Sequence, residues 1–163
     1  NRPSRTRCFY DINLRPNCFN HEIIQSSLEQ ADILKLNDDE LAFIRDMNNS
    51  RQDRDGFAYS LMDRYDIELI ALTRGADGSE LFTRDGHTRA TVPESETVVD
   101  TVGAGDAYSA VLAIGYLNGW SPDRILSVGT AFASAICGIK GAVPDNQAFY
   151  ASFQKYMQET TDE

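Results

Sequence analysis

The chain is poor in sulfur, in histidine and in positive charge. Its 163 residues include only 3 cysteines, 3 methionines and 2 histidines. Cys8, Cys18 and Cys137 are odd in number and lack metal-ligand spacing. They read as reduced thiols of a cytoplasmic protein, not as a zinc site or a disulfide framework. His21 and His87 stand apart from any ligand-like grouping and are expected to be solvated, one at a helix start and one at a hairpin. The single tryptophan, Trp120, follows Gly119 and precedes a helix start, which suits a staple or core residue better than a base-stacking platform. Lys and Arg total 15 against 25 Asp and Glu, giving a formal net charge of −10. That balance provides no basic surface for nucleic acid. No apolar run approaches a bilayer span and no signal-peptide core is present, so no membrane partner is expected. There is no internal repeat, low-complexity tract or interdomain linker. What remains is 42% hydrophobic and long enough for one domain with a real core.

Apolar runs of two kinds alternate along the chain. Thr6–Ile12, Ile33–Leu36 and Leu69–Thr73 read as buried strands, and Ser79–Thr83 with His87–Val92 as a hairpin about Asp85-Gly86. Helical spacing marks residues 20–30, 37–47, 56–65 and 103–118, the last closed by Gly119. Ser121-Pro122 starts a further helix to about Ile136, and Asp145–Gln158 is a final amphipathic one. Strands alternating with helices predict a parallel α/β sheet with helices on both faces.

The most informative segment is Asp100-Thr101-Val102-Gly103-Ala104-Gly105-Asp106, which runs straight into the helix of residues 107–117. Small residues at a helix start expose backbone N–H groups and the positive end of the helix dipole to an anion. A carboxylate in the first turn adds a proton acceptor. Together they suit phosphoryl transfer, with amides holding phosphate charge and Asp106 taking a proton from a hydroxyl. A glycine turn with Asp106 as a mere cap is the plainer reading of GxGD alone. The whole string resembles the DTxGAGD signature of the PfkB-type, ribokinase-like carbohydrate kinases.

Three further segments follow that family's order. Asp11-Ile12-Asn13-Leu14-Arg15 leaves the end of the first strand, where open α/β sheets bind ligands, although Asp11 and Asn13 could equally close a local turn. It resembles the DxNxR motif of fructokinase-like and 2-keto-3-deoxygluconate-kinase-like members, which implies Asn13 and Arg15 near the transfer site. Asn37-Asp38-Asp39-Glu40 fits the NxxE motif linked to magnesium, with Glu40 acting through water. An acidic first helical turn stabilised by the dipole explains the same residues. Thr73-Arg74-Gly75-Ala76-Asp77-Gly78 resembles the TxGxxG nucleotide turn, or else is a tight turn into the hairpin. Gly138–Pro144 matches loosely a region that borders the adenine pocket and, in some members, a monovalent cation. A helix end and a proline turn account for it nearly as well.

The resemblance implies an α/β, three-layer ribokinase-like fold with a mainly parallel sheet. Residues 1–163 would be its C-terminal nucleotide-binding and catalytic part, the N-terminal sugar-binding and lid half lying outside this sequence. It implies ATP and magnesium as cofactors, a small-molecule sugar as acceptor, and a homodimer as one arrangement of the full-length protein. Asp106 would be the general base, with the amides of Ala104, Gly105 and Asp106 at the phosphates and Gly103 shaping the turn. Asp100 and Thr101 would support that loop, Glu40 and Asn37 would serve magnesium, and Thr73, Gly75 and Gly78 the nucleotide. The fructokinase-like subgroup is favoured and a 2-keto-3-deoxygluconate kinase is the alternative. Cys18-Phe19 departs from the Leu-Trp usual in fructokinase-like sequences. The isolated chain is expected to be inactive. From other classes, a non-catalytic nucleotide-binding sensor and a Rossmann dehydrogenase remain, the latter without a GxGxxG after the first strand.

Overall fold

The computed structural model describes residues 6–92 and 98–160. The opening Asn1-Arg2-Pro3-Ser4 lies outside them. Two compact units are present: residues up to Arg74 with Glu80–His87, and Gly75–Ser79 with residues from Thr88 onward.

The first unit is built on strands β1 (Phe9–Asp11), β2 (Ile33–Asn37) and β3 (Leu69–Thr73), all parallel, with Phe9 opposite Ile33 and Ile33 opposite Leu69. β2 and β3 bury four successive residues each, the run expected of parallel strands covered on both faces. Helices α1 (His21–Leu28), α2 (Asp38–Met47) and α3 (Arg54–Tyr65) lie between them in sequence. Ile24, Leu28, Ile44, Phe57 and Leu61 join Leu34, Leu36, Ile70 and Leu72 in one core. Each such side chain contributes about 1.5–3 kcal/mol through burial.

The sheet continues through β4 (Ser79–Thr83) and β5 (Gly86–Ala90), in the order β1-β2-β3-β4-β5. Two residues join β4 to β5, so this pair is an antiparallel hairpin and the sheet is mixed. In the second unit α4 (Ala104–Leu117) packs on α5 (Pro122–Cys137), and Tyr108, Val111, Leu112, Ile125, Leu126 and Val128 are buried. Gly115 and Gly129 permit that approach, Gly129 lying under the Tyr108 ring.

Several element ends differ from the expectation, among them those of β1, α3 and α6. β1 is shorter than Thr6–Ile12, because the Cys8 carbonyl turns to the amides of Asp32 and Ile33. α3 starts at Arg54, two residues before Gly56, because the Asp53 carboxylate caps the Gly56 amide at 2.8 Å. α6 (Gln147–Glu159), expected over Asp145–Gln158, has no fully buried residue, but Phe149, Phe153 and Met157 are half-buried and Phe153 meets Phe132 of α5 at 4.4 Å. None of the described helices is long and apolar enough to cross a membrane.

Candidate functional site

In the first unit the three parallel strands deliver Asp11, Asn37 and Thr73 to their carboxyl ends. Asn37 and Thr73 are register partners, and the Thr73 hydroxyl donates to the Leu36 carbonyl at 3.4 Å. Lys35, buried within β2, meets Asp11 at 3.0 Å, which answers the charge that interrupts an otherwise apolar strand. Asn37 and Glu40 form a capping box. The Asn37 side chain accepts from the Glu40 amide at 2.9 Å and Glu40 Oε2 accepts from the Asn37 amide at 2.8 Å. Glu40 Oε1 accepts from the Leu14 amide at 3.3 Å, binding the Asn13–Arg15 segment to the start of α2. Glu40 is 7% exposed, and burial pushes its acid up against the opposing pull of those amides. Its carboxylate is thus committed to the backbone, and suits magnesium through an intervening water better than direct ligation. Asn13 and Arg15 are exposed, with Arg15 Nε donating to Asn13 Oδ1 at 3.4 Å.

In the second unit the DTVGAGD segment forms a turn closed by Asp100. Asp100 Oδ1 accepts from the Val102 amide at 3.0 Å and Oδ2 from the Gly141 amide at 3.2 Å, and these bonds hold its carboxyl below the usual range. The 138–144 segment is thereby joined to the motif. Gly103 caps α4 at φ 84°, and a Cβ there would lie 2.5 Å from Ala142 Cβ. Only glycine fits both the left-handed backbone and that approach. The Ala104 amide bends back to the Thr101 carbonyl at 3.3 Å, and the helical ladder begins with Ala107 donating to Gly103 at 2.8 Å. The amides of Gly105 and Asp106 have no intramolecular acceptor among the described residues. No side chain caps this helix end, and the Asp106 carboxylate is exposed in its first turn. Such an end is a ready anion cradle. Of the three amides expected to face an anion, those of Gly105 and Asp106 are open, while that of Ala104 is taken by Thr101.

Gly75–Asp77 form a 3-10 turn and the Gly78 amide returns to the Gly75 carbonyl at 3.2 Å. A Cβ on Gly78 would fall 1.9 Å from the Ala90 carbonyl oxygen, so close backbone packing accounts for this glycine. Gly75 has nothing within 4 Å on the corresponding side.

Some groupings escaped the sequence. His87 is not isolated: its ligand atom and those of Asp55 and Glu80 lie within 4.8 Å of one another, and its ring stacks on Phe82 at 5.1 Å. Arg54 spans the two carboxylates at 2.9 Å from each, which supplies the countercharge a metal would bring. Glu80, 1% exposed, is the unforeseen centre of this network. Only an acidic residue in the middle of a hairpin strand hinted at it. His21 is exposed, as expected, at the edge of Phe43. Trp120 is half-buried under the Arg124 guanidinium, 4.2 Å from its ring centre. All three cysteines are free.

Comparison with known proteins follows the same lines. The model of the pfkB family carbohydrate kinases matches residues 5–148. A ribokinase of Arabidopsis thaliana is 29% identical over 118 residues, covering 72% of this chain and 31% of that protein. A 5-dehydro-2-deoxygluconokinase of Bacillus thuringiensis (strain Al Hakam) is 24% identical over 160 residues, covering 95% and 48%. A provisionally named ribokinase II of E. coli, solved with ATP and magnesium, superposes with a TM-score of 0.73 at 15% identity, over 92% of this chain and 48% of that one. The chain spans less than half the length of these relatives.

Proposed function

Because this chain belongs to the pfkB family of carbohydrate kinases, we propose that it supplies the nucleotide-binding and catalytic part of an ATP-dependent kinase acting on a sugar hydroxyl. Its fold is the ribokinase-like α/β fold, in part. The observation that carries the reading is the start of α4: two unpartnered amides on a glycine turn, with an exposed carboxylate in the same helical turn.

ATP with magnesium supplies the phosphoryl group and part of the countercharge. The Gly105 and Asp106 amides hold negative charge as it builds on the phosphate oxygens. The Asp106 carboxylate accepts the proton of the acceptor hydroxyl as that oxygen becomes a nucleophile. Asp100 keeps the turn closed by holding the Val102 and Gly141 amides. Glu40, its carboxylate fixed by the Asn37 and Leu14 amides, would hold magnesium through water, and the ion would supply countercharge to the phosphates. Thr73, Gly75 and Gly78 line the nucleotide. The tie from Asp100 to Gly141 supports an adenine-side role for the 138–144 segment; a monovalent cation there stays an expectation from the resemblance.

A fructose-type ketose is the acceptor that DxNxR followed by NxxE suggests. A keto-deoxy sugar acid is the second reading, favoured by the 5-dehydro-2-deoxygluconokinase relatives and by the exposed Arg15. A guanidinium gives a carboxylate a charge-assisted, two-pronged contact. The test is a panel of neutral sugars and sugar acids with the full-length protein, alongside Arg15→Ala. A neutral acceptor predicts that Arg15→Ala falls mainly on kcat. A preferred acid whose KM alone rises selectively establishes the second reading, and no phosphorylation of any member overturns the kinase assignment.

A further inference from the structure

Arg74 lies inside the Thr73–Gly78 turn at a position the TxGxxG pattern leaves open. Its guanidinium is half-buried and reaches two carboxylates, Asp38 Oδ2 from Nε at 3.3 Å and Glu80 Oε1 from Nη1 at 3.2 Å. Asp38 is the first residue of α2, next to Asn37 of the capping box. Glu80 is 1% exposed, and its other cation, Arg54, is shared with Asp55. Among the described residues the group brings three carboxylates together with two guanidinium ions. Removing Arg74 takes a positive charge from between Asp38 and Glu80, directly beside the end of β3.

We propose that Arg74 is a positioning and charge-masking residue of the nucleotide turn: by neutralising Asp38 and Glu80 it keeps the end of β3 open to a polyphosphate. The inference rests on the reading of Thr73–Gly78 as a nucleotide turn. The physical basis is that like charges within about 10 Å act on one another at ordinary salt, and more strongly where one of them is buried. Arginine suits the task because its planar fork serves two carboxylates at once, whereas a lysine ammonium is a point charge.

The test is calorimetric binding of ATP and of adenosine to the full-length protein and its variants. Arg74→Met is expected to weaken ATP about tenfold, a loss of about 1.4 kcal/mol, and to leave adenosine within about twofold. The ATP deficit should shrink as salt is raised. Adding Asp38→Asn to Arg74→Met should restore most of the ATP affinity, since it deletes the more accessible of the two carboxylates that Arg74 pairs with, and Arg74→Lys should fall between. A purely structural role predicts equal losses for ATP and adenosine and no rescue by Asp38→Asn; either result overturns the proposal. Should Arg74→Met fail to fold by its thermal transition, Arg74→Lys and the double variant carry the same comparison. Wild-type protein that binds neither ligand sinks the nucleotide-turn reading and this inference with it. Wild-type binding with an unchanged Arg74→Met sinks the inference alone.

Discussion

Glu40 and Leu14, 26 residues apart, are joined by a hydrogen bond from the Leu14 amide to the Glu40 carboxylate. The same carboxylate closes the capping box on Asn37, so one buried acid fixes both the start of α2 and the loop that bears Asn13 and Arg15. Burial raises its acid above the ordinary 4.5, and the sign of the linkage follows. A carboxyl with a raised folded pKa contributes stability that is full below the unfolded value and is lost as pH rises through the folded one. Glu40→Gln retains one capping acceptor and cannot ionise. Thermal melts from pH 4 to 7 should show the wild type losing ground against Glu40→Gln as pH rises. Parallel pH curves would remove Glu40 as the source.

Asp100 titrates with the opposite sign. The Val102 and Gly141 amides lower its pKa from 3.8, so its contribution is present above that value and is lost as pH falls through the folded one. Asp100→Asn keeps one acceptor. The stability gap between wild type and Asp100→Asn should be constant near neutrality and close in acid below about pH 4. A gap that widens in acid would contradict the bonding described.

Gly103→Ala should be costly for two separable reasons. The left-handed backbone alone costs about 1–2 kcal/mol for a non-glycine residue. The new methyl also meets Ala142 at 2.5 Å. Pairing it with Ala142→Gly should recover only part of the loss in denaturant midpoint, since Ala142 Cα and O lie at 2.7 and 3.0 Å. Full recovery would mean that backbone strain contributes nothing.

Gly105→Val should exclude phosphate from the open amides at the start of α4. In calorimetry ATP should weaken far more than adenosine. Equal losses would instead indicate a folding defect.

Asp106→Asn in the full-length protein should lower kcat by about 10²–10⁴-fold with little change in ATP affinity, the range typical of general bases. Retention of more than about a tenth of kcat would dismiss the base assignment.

Local chemistry that acts on neighbours was legible in the sequence. The Asn37–Glu40 spacing named a helix start because a capping box is built within one turn. Leu69–Thr73 read as a strand because its apolar run is buried on both faces. The GAGD turn announced its helix by glycine and dipole chemistry alone. What the sequence hid were pairings made by tertiary placement. Glu80 with Arg54 and Arg74, Asp100 with Gly141 and Lys35 with Asp11 depend on which strands and loops become neighbours, which no local pattern encodes. His87 is exposed at the hairpin as expected, but it does not stand apart, since Asp55 and Glu80 reach it from other elements. The close approach of Gly78 to Ala90 was likewise invisible, although the glycine itself was not.

The chain carries a single indole, and Trp120 sits where α4 ends and α5 begins, beneath Arg124 and against the position a Gly115 side chain would fill. Its emission therefore reports on the second unit alone. Circular dichroism reports on helices of both. If denaturation traces from the two signals coincide, the units unfold as one cooperative body; if they separate, the intrinsic fluorophore dates the loss of the α4–α5 pair without any label being introduced.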